Sequence, residues 1–422
     1  MKTGLRVALA FCLVGFDSTF GVAAEAPVIP IPQDAGAEPP TSWIDADTGH
    51  RVIRLTREPN SASLYFNENG YTPDGKRMIY TTPDGISVLD LKTLETRSIV
   101  QGQVRAIQVG HKTPTIYYTK TQEGALYGTN IDTGETRKLA DLPKRGDIAT
   151  VNADETLAAG TFIEGDGADY GGKKEGQNHS LEQPRNKGQM MADRLAAKLP
   201  LVLFTADLQT GKINPILHST DWVNHLLFSP TDPSLLMYCH EGPWHKVDRI
   251  WNIHTDGTQK TLIHQRTMAM EIAGHEFWSP DGNTIWYDLQ TPKGEVFFVA
   301  GFELSTGKRT WHHIERNEWS IHFNVTRDGT LFCGDGGDRA QVARATDGRW
   351  IYLFRPVHIR GDSDDANGLI GASVLQSERL VNMAKHDYKL EPNVSFTPDQ
   401  KMIIFRSNMF GPTYVFGVEV GK

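Results

Sequence analysis

The chain has 422 residues, 39 % of them hydrophobic and 22 % charged, with a formal net charge of −8 at pH 7. That length permits a large core, the composition excludes a membrane-embedded body, and the negative balance offers no basic footprint for nucleic acid. A chain of this charge that takes a polyanion must gather His, Arg and Lys locally.

The N-terminus carries an export pattern: Lys2 and Arg6, an apolar run over 7–16, then the small residues Gly21-Val22-Ala23-Ala24. Residues 1–24 are expected to be a signal peptide and the mature chain to be periplasmic or secreted, with no membrane insertion. The apolar run is short for an anchor helix, and Cys12 lies inside it rather than at a lipoprotein junction. The Pro-rich stretch 25–45 is expected to be a linker, and 46–422 the folded domain. Removing the signal would leave Cys239 and Cys333, too few for a disulfide framework, so two buried thiols are expected.

Helical periodicity is nearly absent downstream. Short runs rich in Val, Ile, Tyr, Phe and Thr alternate with Gly, Asp, Asn and Pro, a strand-and-turn pattern. A mark recurs at Thr72-Pro73-Asp74-Gly75, Ser279-Pro280-Asp281-Gly282, Thr326-Arg327-Asp328-Gly329 and Thr397-Pro398-Asp399-Gln400, with weaker copies near Asn152 and Ser229. Pro presets the turn, Asp caps it and Gly accepts positive φ. Second turns follow at Asp90, Asp132, Asp207, Asp256 and Glu303. Paired hairpins repeating about every 40 residues describe propeller blades, so the expected fold is all-β, a seven-bladed β-propeller, with the strand from Arg51 closing the ring. A β-helix or a stack of unrelated hairpins is the competing architecture. One insertion, residues 164–199, holds a short helical signal over 192–199 and is expected to cross the top face.

Clusters of His, Trp and Glu interrupt this pattern, and neither strands nor turns require them. The first is the loop with His240, Glu241, Trp244, His245 and Arg249, broken by Gly242-Pro243. Its Trp suits a pyranose face and its Arg a carboxylate, against the bland alternative of a polar turn with an Asp248–Arg249 ion pair. His275 and His322 each stand just before a turn mark, on what would be innermost strands; a structural His at such a position is the alternative. His386, Glu391 and Asn393 precede the last mark. Innermost strands converge on one axis, so these residues are expected around one mouth. Their nitrogen and oxygen donors suit Mn²⁺ or Ca²⁺ better than structural zinc. Gly334-Asp335-Gly336 lacks EF-hand spacing and reads as a turn.

At these segments the chain resembles the oligogalacturonate lyase family. The likeness rests on Cys239-His240-Glu241-Gly242-Pro243 with Arg249-Ile250-Trp251, on His275-Glu276-Phe277-Trp278, on Ser320-Ile321-His322 ahead of Gly334-Asp335-Gly336, and on Ser395-Phe396-Thr397-Pro398. Arg54-Leu55-Thr56 and Tyr65-Phe66 are similar too. The family fold is a seven-bladed propeller whose members cut short oligogalacturonates by β-elimination with a divalent cation, often Mn²⁺. The resemblance implies His275 as general base, Arg249 as its helper, and His322 as a metal ligand. The family's Gln and His-x-His ligands fall here on Tyr388 and on Glu391-Pro392-Asn393, so the expected metal set is His322, His386, Glu391 and Asn393 around Mn²⁺, with Ca²⁺ as the alternative. His240, Glu241, Trp244 and His245 are the expected contacts to an acidic oligosaccharide, and the chain is expected to be a monomer or homodimer. Competing functions are a non-catalytic glycan-binding or scaffold propeller of the envelope, and a lyase or isomerase for another uronate. A peptidase propeller is excluded, since no nucleophile elbow follows the blades.

Overall fold

The computed structural model describes residues 38–120, 122–165, 187–359 and 369–422. The expected signal peptide, residues 25–37 of the expected linker and 166–186 of the insertion lie outside the described residues. The turn marks form as their chemistry dictates. The N–H groups of Thr72, Ser279, Thr326 and Thr397 bond the carbonyls of Arg77, Thr284, Leu331 and Met402 at 2.8–3.0 Å. Inside each turn an Asp carboxylate accepts from the preceding hydroxyl and from the next free N–H, as Asp74 does from Thr72 and Lys76 at 2.6 and 3.1 Å. Gly75 and Gly282 supply the positive φ, 69° and 73°.

Among the described residues the strands form six sheets. Four-stranded antiparallel sheets begin at Arg105–Val109, Asp147–Val151 and Trp222–Phe228, and a three-stranded sheet begins at Arg77–Thr82. An eight-stranded sheet consists of two consecutive antiparallel meanders, starting at Ile272–Trp278 and Phe323–Val325. They are joined by a parallel pairing of Arg309–Ile314 with Gly371–Asn382. First strands meet one another: Asp147–Val151 contacts both Arg105–Val109 and Trp222–Phe228, and Phe323–Val325 contacts Ser395–Phe396. Buried Gln108 ties two of these strands together, its amide bonding the carbonyl and N–H of Val151 at 3.1 and 2.8 Å. The result is a propeller-like all-β architecture with apolar side chains filling the space between neighbouring sheets.

The last sheet is closed by the chain's other end. Arg51–Arg54 pairs with Tyr414–Glu419, in line with the expected closure, and Ser42–Ile44 adds outside it. The expected linker boundary at residue 45 is therefore too late. Trp43 is 4 % exposed and packs edge-on against Phe410 and Phe416 at 5.6 and 5.8 Å, which is enough apolar contact to hold three residues as an edge strand. The cysteines expected as thiols, Cys239 and Cys333, are both free and buried. Among the described residues no helix is long and apolar enough to cross a membrane.

Val52 is fully buried in the closing strand. Val52→Ala should cost about 1–3 kcal/mol, read as a lower urea midpoint. An unchanged midpoint would show that this strand lies outside the cooperative fold.

Candidate active site

One register position recurs in each meander. Four residues before the N–H that closes each first turn stand Glu68, Ala106, Ile148, His225, His275, His322 and Asn393. The strands bulge here, between Asn224 and Leu227 and between Gly274 and Phe277. His225 and His275 both take φ of 47°, and Asn393 takes 55°. A left-handed non-glycine residue costs about 1–3 kcal/mol and persists only where its surroundings hold it. Ala106 and Ile148 pack into the apolar cores between sheets, whereas three consecutive meanders carry histidine at this position. That asymmetry locates the site.

His275 is oriented by a carboxylate. Its Nδ1 lies 3.1 Å from Asp288 Oδ1, and a carboxylate only accepts, so Nδ1 carries the hydrogen and Nε2 keeps its lone pair. Asp288 stands opposite Gly274 on the next strand and is 1 % exposed. Burial lowers the imidazole's proton affinity, but the charge and hydrogen bond of Asp288 outweigh it, so the pKa rises above the ordinary value.

Beside it lies a buried ion cluster. Strand alternation over Leu235–Glu241 puts Cys239 and Glu241 on one face, where Glu241 Oε1 accepts from Arg249 at 2.5 Å and from the Trp244 indole at 3.0 Å. Glu276 Oε2 lies 3.8 Å from the same guanidinium, and His225 Nε2 lies 3.3 Å from Glu241 Oε2. Burial pushes the Glu241 carboxyl up, but His225 and Arg249 hold it down at about 2. Trp244 covers the guanidinium at 4.1 Å and meets the His275 ring edge-on at 5.2 Å. It fits because residue 274 is glycine: a Cβ there would stand 2.5 Å from the indole. The alternative of an Asp248–Arg249 pair does not form, and Asp248 binds Arg266 instead at 3.0 Å.

His322 is fully buried, its Nδ1 donating to Asp335 Oδ2 at 2.8 Å, so Gly334-Asp335-Gly336 is more than a turn. Nε2 faces the Tyr65 hydroxyl at 3.1 Å and Glu391 Oε2 at 3.7 Å. A carboxylate-oriented imidazole with a second carboxylate before its lone pair is a donor set that fits a hard or borderline divalent cation. The expected quartet is not assembled, and among the described residues no three His, Cys, Asp or Glu side chains converge as a cage. His386 is turned away, its Nδ1 bonding Ser407 and its Nε2 the Leu390 carbonyl at 2.9 and 2.7 Å. Asn393 is turned to Arg406, its amide oxygen accepting from Nε at 3.1 Å. Tyr388, in the place of the family's Gln, bonds the Asp335 carbonyl at 3.0 Å.

His275, Arg249, Glu241, Trp244 and Glu391 line one cavity of about 250 Å³, together with Tyr65, His225 and Glu276. The insertion reaches it through helix α1, Lys187–Ala197, which starts earlier than expected and brings Lys187, Met190 and Met191 to the wall. His240 and His245 are not brought in. His240 lies on the opposite face of its strand with Nε2 3.6 Å from Asp221, and burial lowers its pKa. His245 sits in the turn Trp244–Lys246, outside the cavity lining, near Lys246, Lys293 and Arg266. A larger opening, about 360 Å³, lies at the turn end of the first strands and lacks His275 and Arg249. Sequence reasoning missed Asp288, Asp335, Glu276 and His225. Only His225 had a readable signal, its place four residues before Ser229 matching that of His275 before Ser279.

A family model described as oligogalacturonate lyase matches residues 40–422. The oligogalacturonide lyase of Pectobacterium atrosepticum is 25 % identical over 402 residues, covering 90 % of this chain and 95 % of the relative. The oligogalacturonate lyase of Dickeya dadantii is 25 % identical over 397 residues, with the same coverage. A solved structure of an oligogalacturonate lyase in complex with manganese superposes with a TM-score of 0.72 at 23 % identity, covering 90 % of this chain and 96 % of that one.

Gly274→Ala should drive the new methyl into the Trp244 ring and cost about 1–3 kcal/mol of stability, as overpacking does. A variant as stable as the parent in chemical denaturation would show that Trp244 is free to leave this position.

Proposed function

The chain belongs to the oligogalacturonate lyase family, and we propose that it cleaves 4-linked, pectin-derived galacturonate oligosaccharides by β-elimination, with manganese as its cation. The observation that carries the chemistry is the His275–Asp288 pair, which leaves one imidazole lone pair beside a cavity that also holds Arg249. The proton at C5 of a uronate is α to a carboxylate and only weakly acidic. Its removal needs a base of near-neutral pKa and positive charge close to the enolate-like intermediate. His275 Nε2 takes the proton, and Asp288 holds the ring in the tautomer that makes this possible. The electron pair then forms the C4–C5 double bond as the bond from C4 to O4 breaks. Arg249, fixed by Glu241, supplies a permanent charge, and the partly exposed Trp244 ring offers a flat apolar face to a pyranose.

His322 Nε2 and the Glu391 carboxylate are the groups that would hold manganese, which when bound would neutralise the uronate carboxylate. The manganese complex of the structural neighbour and the Asp335–His322 pair support this reading. We also read the eight-stranded sheet as two blades, seven in all, because the turn-closing hydrogen bond recurs once in each meander. The basic, apolar and small-residue pattern of the N-terminus supports export to the periplasm or beyond.

The test is growth of ultraviolet absorbance from the conjugated product, using di- and tri-galacturonate with the chelated protein and with Mn²⁺ or Ca²⁺ restored. Cation-dependent product is expected; none with any cation would favour a glycan-binding propeller or another uronate. His275→Ala should reduce turnover by about 10²–10⁴-fold with the fold intact by circular dichroism. Full activity would dismiss it as the base. Because Asp288 raises the His275 pKa, the base is protonated and idle over more of the acid range. Asp288→Asn should therefore move the acid limb of the pH–rate profile to lower pH while lowering kcat. An unmoved limb would assign it to another group.

A further inference from the structure

Among the described residues two histidines line the cavity, His275 and His225. They are the same position of adjacent meanders, both on bulges and both left-handed at φ 47°. Each has one ring nitrogen beside a carboxylate fixed from the neighbouring strand: Nδ1 of His275 at Asp288, and Nε2 of His225 at Glu241, 3.3 Å away. The pairs therefore leave opposite nitrogens free. They also differ in access, since the His225 side chain is 42 % exposed and that of His275 is 21 %.

β-Elimination moves two protons. One leaves C5 for the base, and one must reach O4 as its bond to C4 breaks, because an alkoxide is a poor leaving group in water. His275 has only one free nitrogen, and the C5 proton occupies it at the moment O4 departs. A second group is required, and it must exchange with solvent between turnovers.

We propose that His225, as an imidazolium whose Nε2–H points to Glu241, gives its Nδ1 proton to the departing O4 and is then reprotonated from water. The assignment rests on the β-elimination reading. The charges facing His225 come from several elements. Glu241 and Arg249 belong to its own sheet; Glu68, Arg105 and Asp147 stand across a second opening beside it; Lys187 comes from α1. Burial pushes the Glu68 carboxyl up to about 7, so Glu241 and Asp147 are the fixed anions around the ring, with Arg249, Arg105 and Lys187 as the cations. Glu241 is nearest and is shared with Arg249, so it both fixes the ring and holds a counter-charge whichever way the proton moves.

The decisive variant is His225→Gln, whose amide can still donate to Glu241 but cannot transfer a proton. The substrates are digalacturonate and a galacturonide carrying a nitrophenyl group on O4, whose phenolate leaves without protonation. The expected result is a fall in kcat of about 10²–10⁴-fold on digalacturonate with KM within a few-fold, loss of the alkaline limb of its pH profile, and near-parental elimination of nitrophenolate. Equal losses on both substrates, or none on digalacturonate, would overturn the assignment and leave His225 as a prop for Glu241. If the parent protein forms no unsaturated product from either substrate, the reaction itself is wrong and the assignment falls with it.

Discussion

Burying the Arg249 guanidinium takes a permanent charge out of water, and unaided that would cost several kcal/mol. Glu241 at 2.5 Å offsets the cost, with Glu276 behind it, and the Trp244 face closes the remaining side at 4.1 Å. The surrounding structure follows from holding this charge still. Trp244 can lie over it because position 274 has no side chain, and Trp244 in turn leans on His275. The second oxygen of Glu241 reaches His225. Removing any member leaves a buried charge or donor without its partner, so the cluster behaves as one unit and mutational effects inside it will not add.

The propeller-like fold contributes a shared position. At the position four residues before the turn the strands bulge around Ala106, Ile148, His225 and His275, and His225, His275 and Asn393 are left-handed there. Such strain is tolerated because the hairpin beyond the bulge is locked by its own turn, with an Asp capping the freed N–H groups. The same register position can therefore carry Ala106 or Ile148 where the core needs filling and His275 or His322 elsewhere. Rigid hairpins and replaceable residues at this position are separable features of one repeat.

Local chemistry decided how much of this was legible in advance. Pro-Asp-Gly turns and the Arg51 strand could be read because turn geometry depends on adjacent residues. His275, Arg249, Glu241 and Trp244 stood out because strands and turns do not need them. His240 and His245 stood out for the same reason and were misassigned: alternation sends His240 to the other face, and a single 3₁₀ turn carries His245 outward. Asp288 was invisible because a lone Asp in a strand resembles any turn-flanking Asp until the partner histidine is placed beside it, and Asp335 was read only as part of a Gly-Asp-Gly turn. His386 was grouped with Glu391 by nearness in sequence, although its ring is spent on the Leu390 carbonyl and Ser407.

The expected metal quartet reduces to His322 and Glu391, and this changes the charge balance of the site. Where the family pattern has neutral imidazoles, this chain has a carboxylate at 391 and an amide at 393 that is tied to Arg406. The Arg406 Nε also donates to the Glu391 carbonyl at 2.8 Å, so a fixed cation stands beside the carboxylate that would take the divalent ion. Glu391 and Asp335 thus set two negative charges against the single positive charge of Arg406, and a bound divalent ion would add two positive charges. In a chain of net charge −8, binding an acidic sugar depends on a local positive surplus, and these three side chains reach one only with the ion bound.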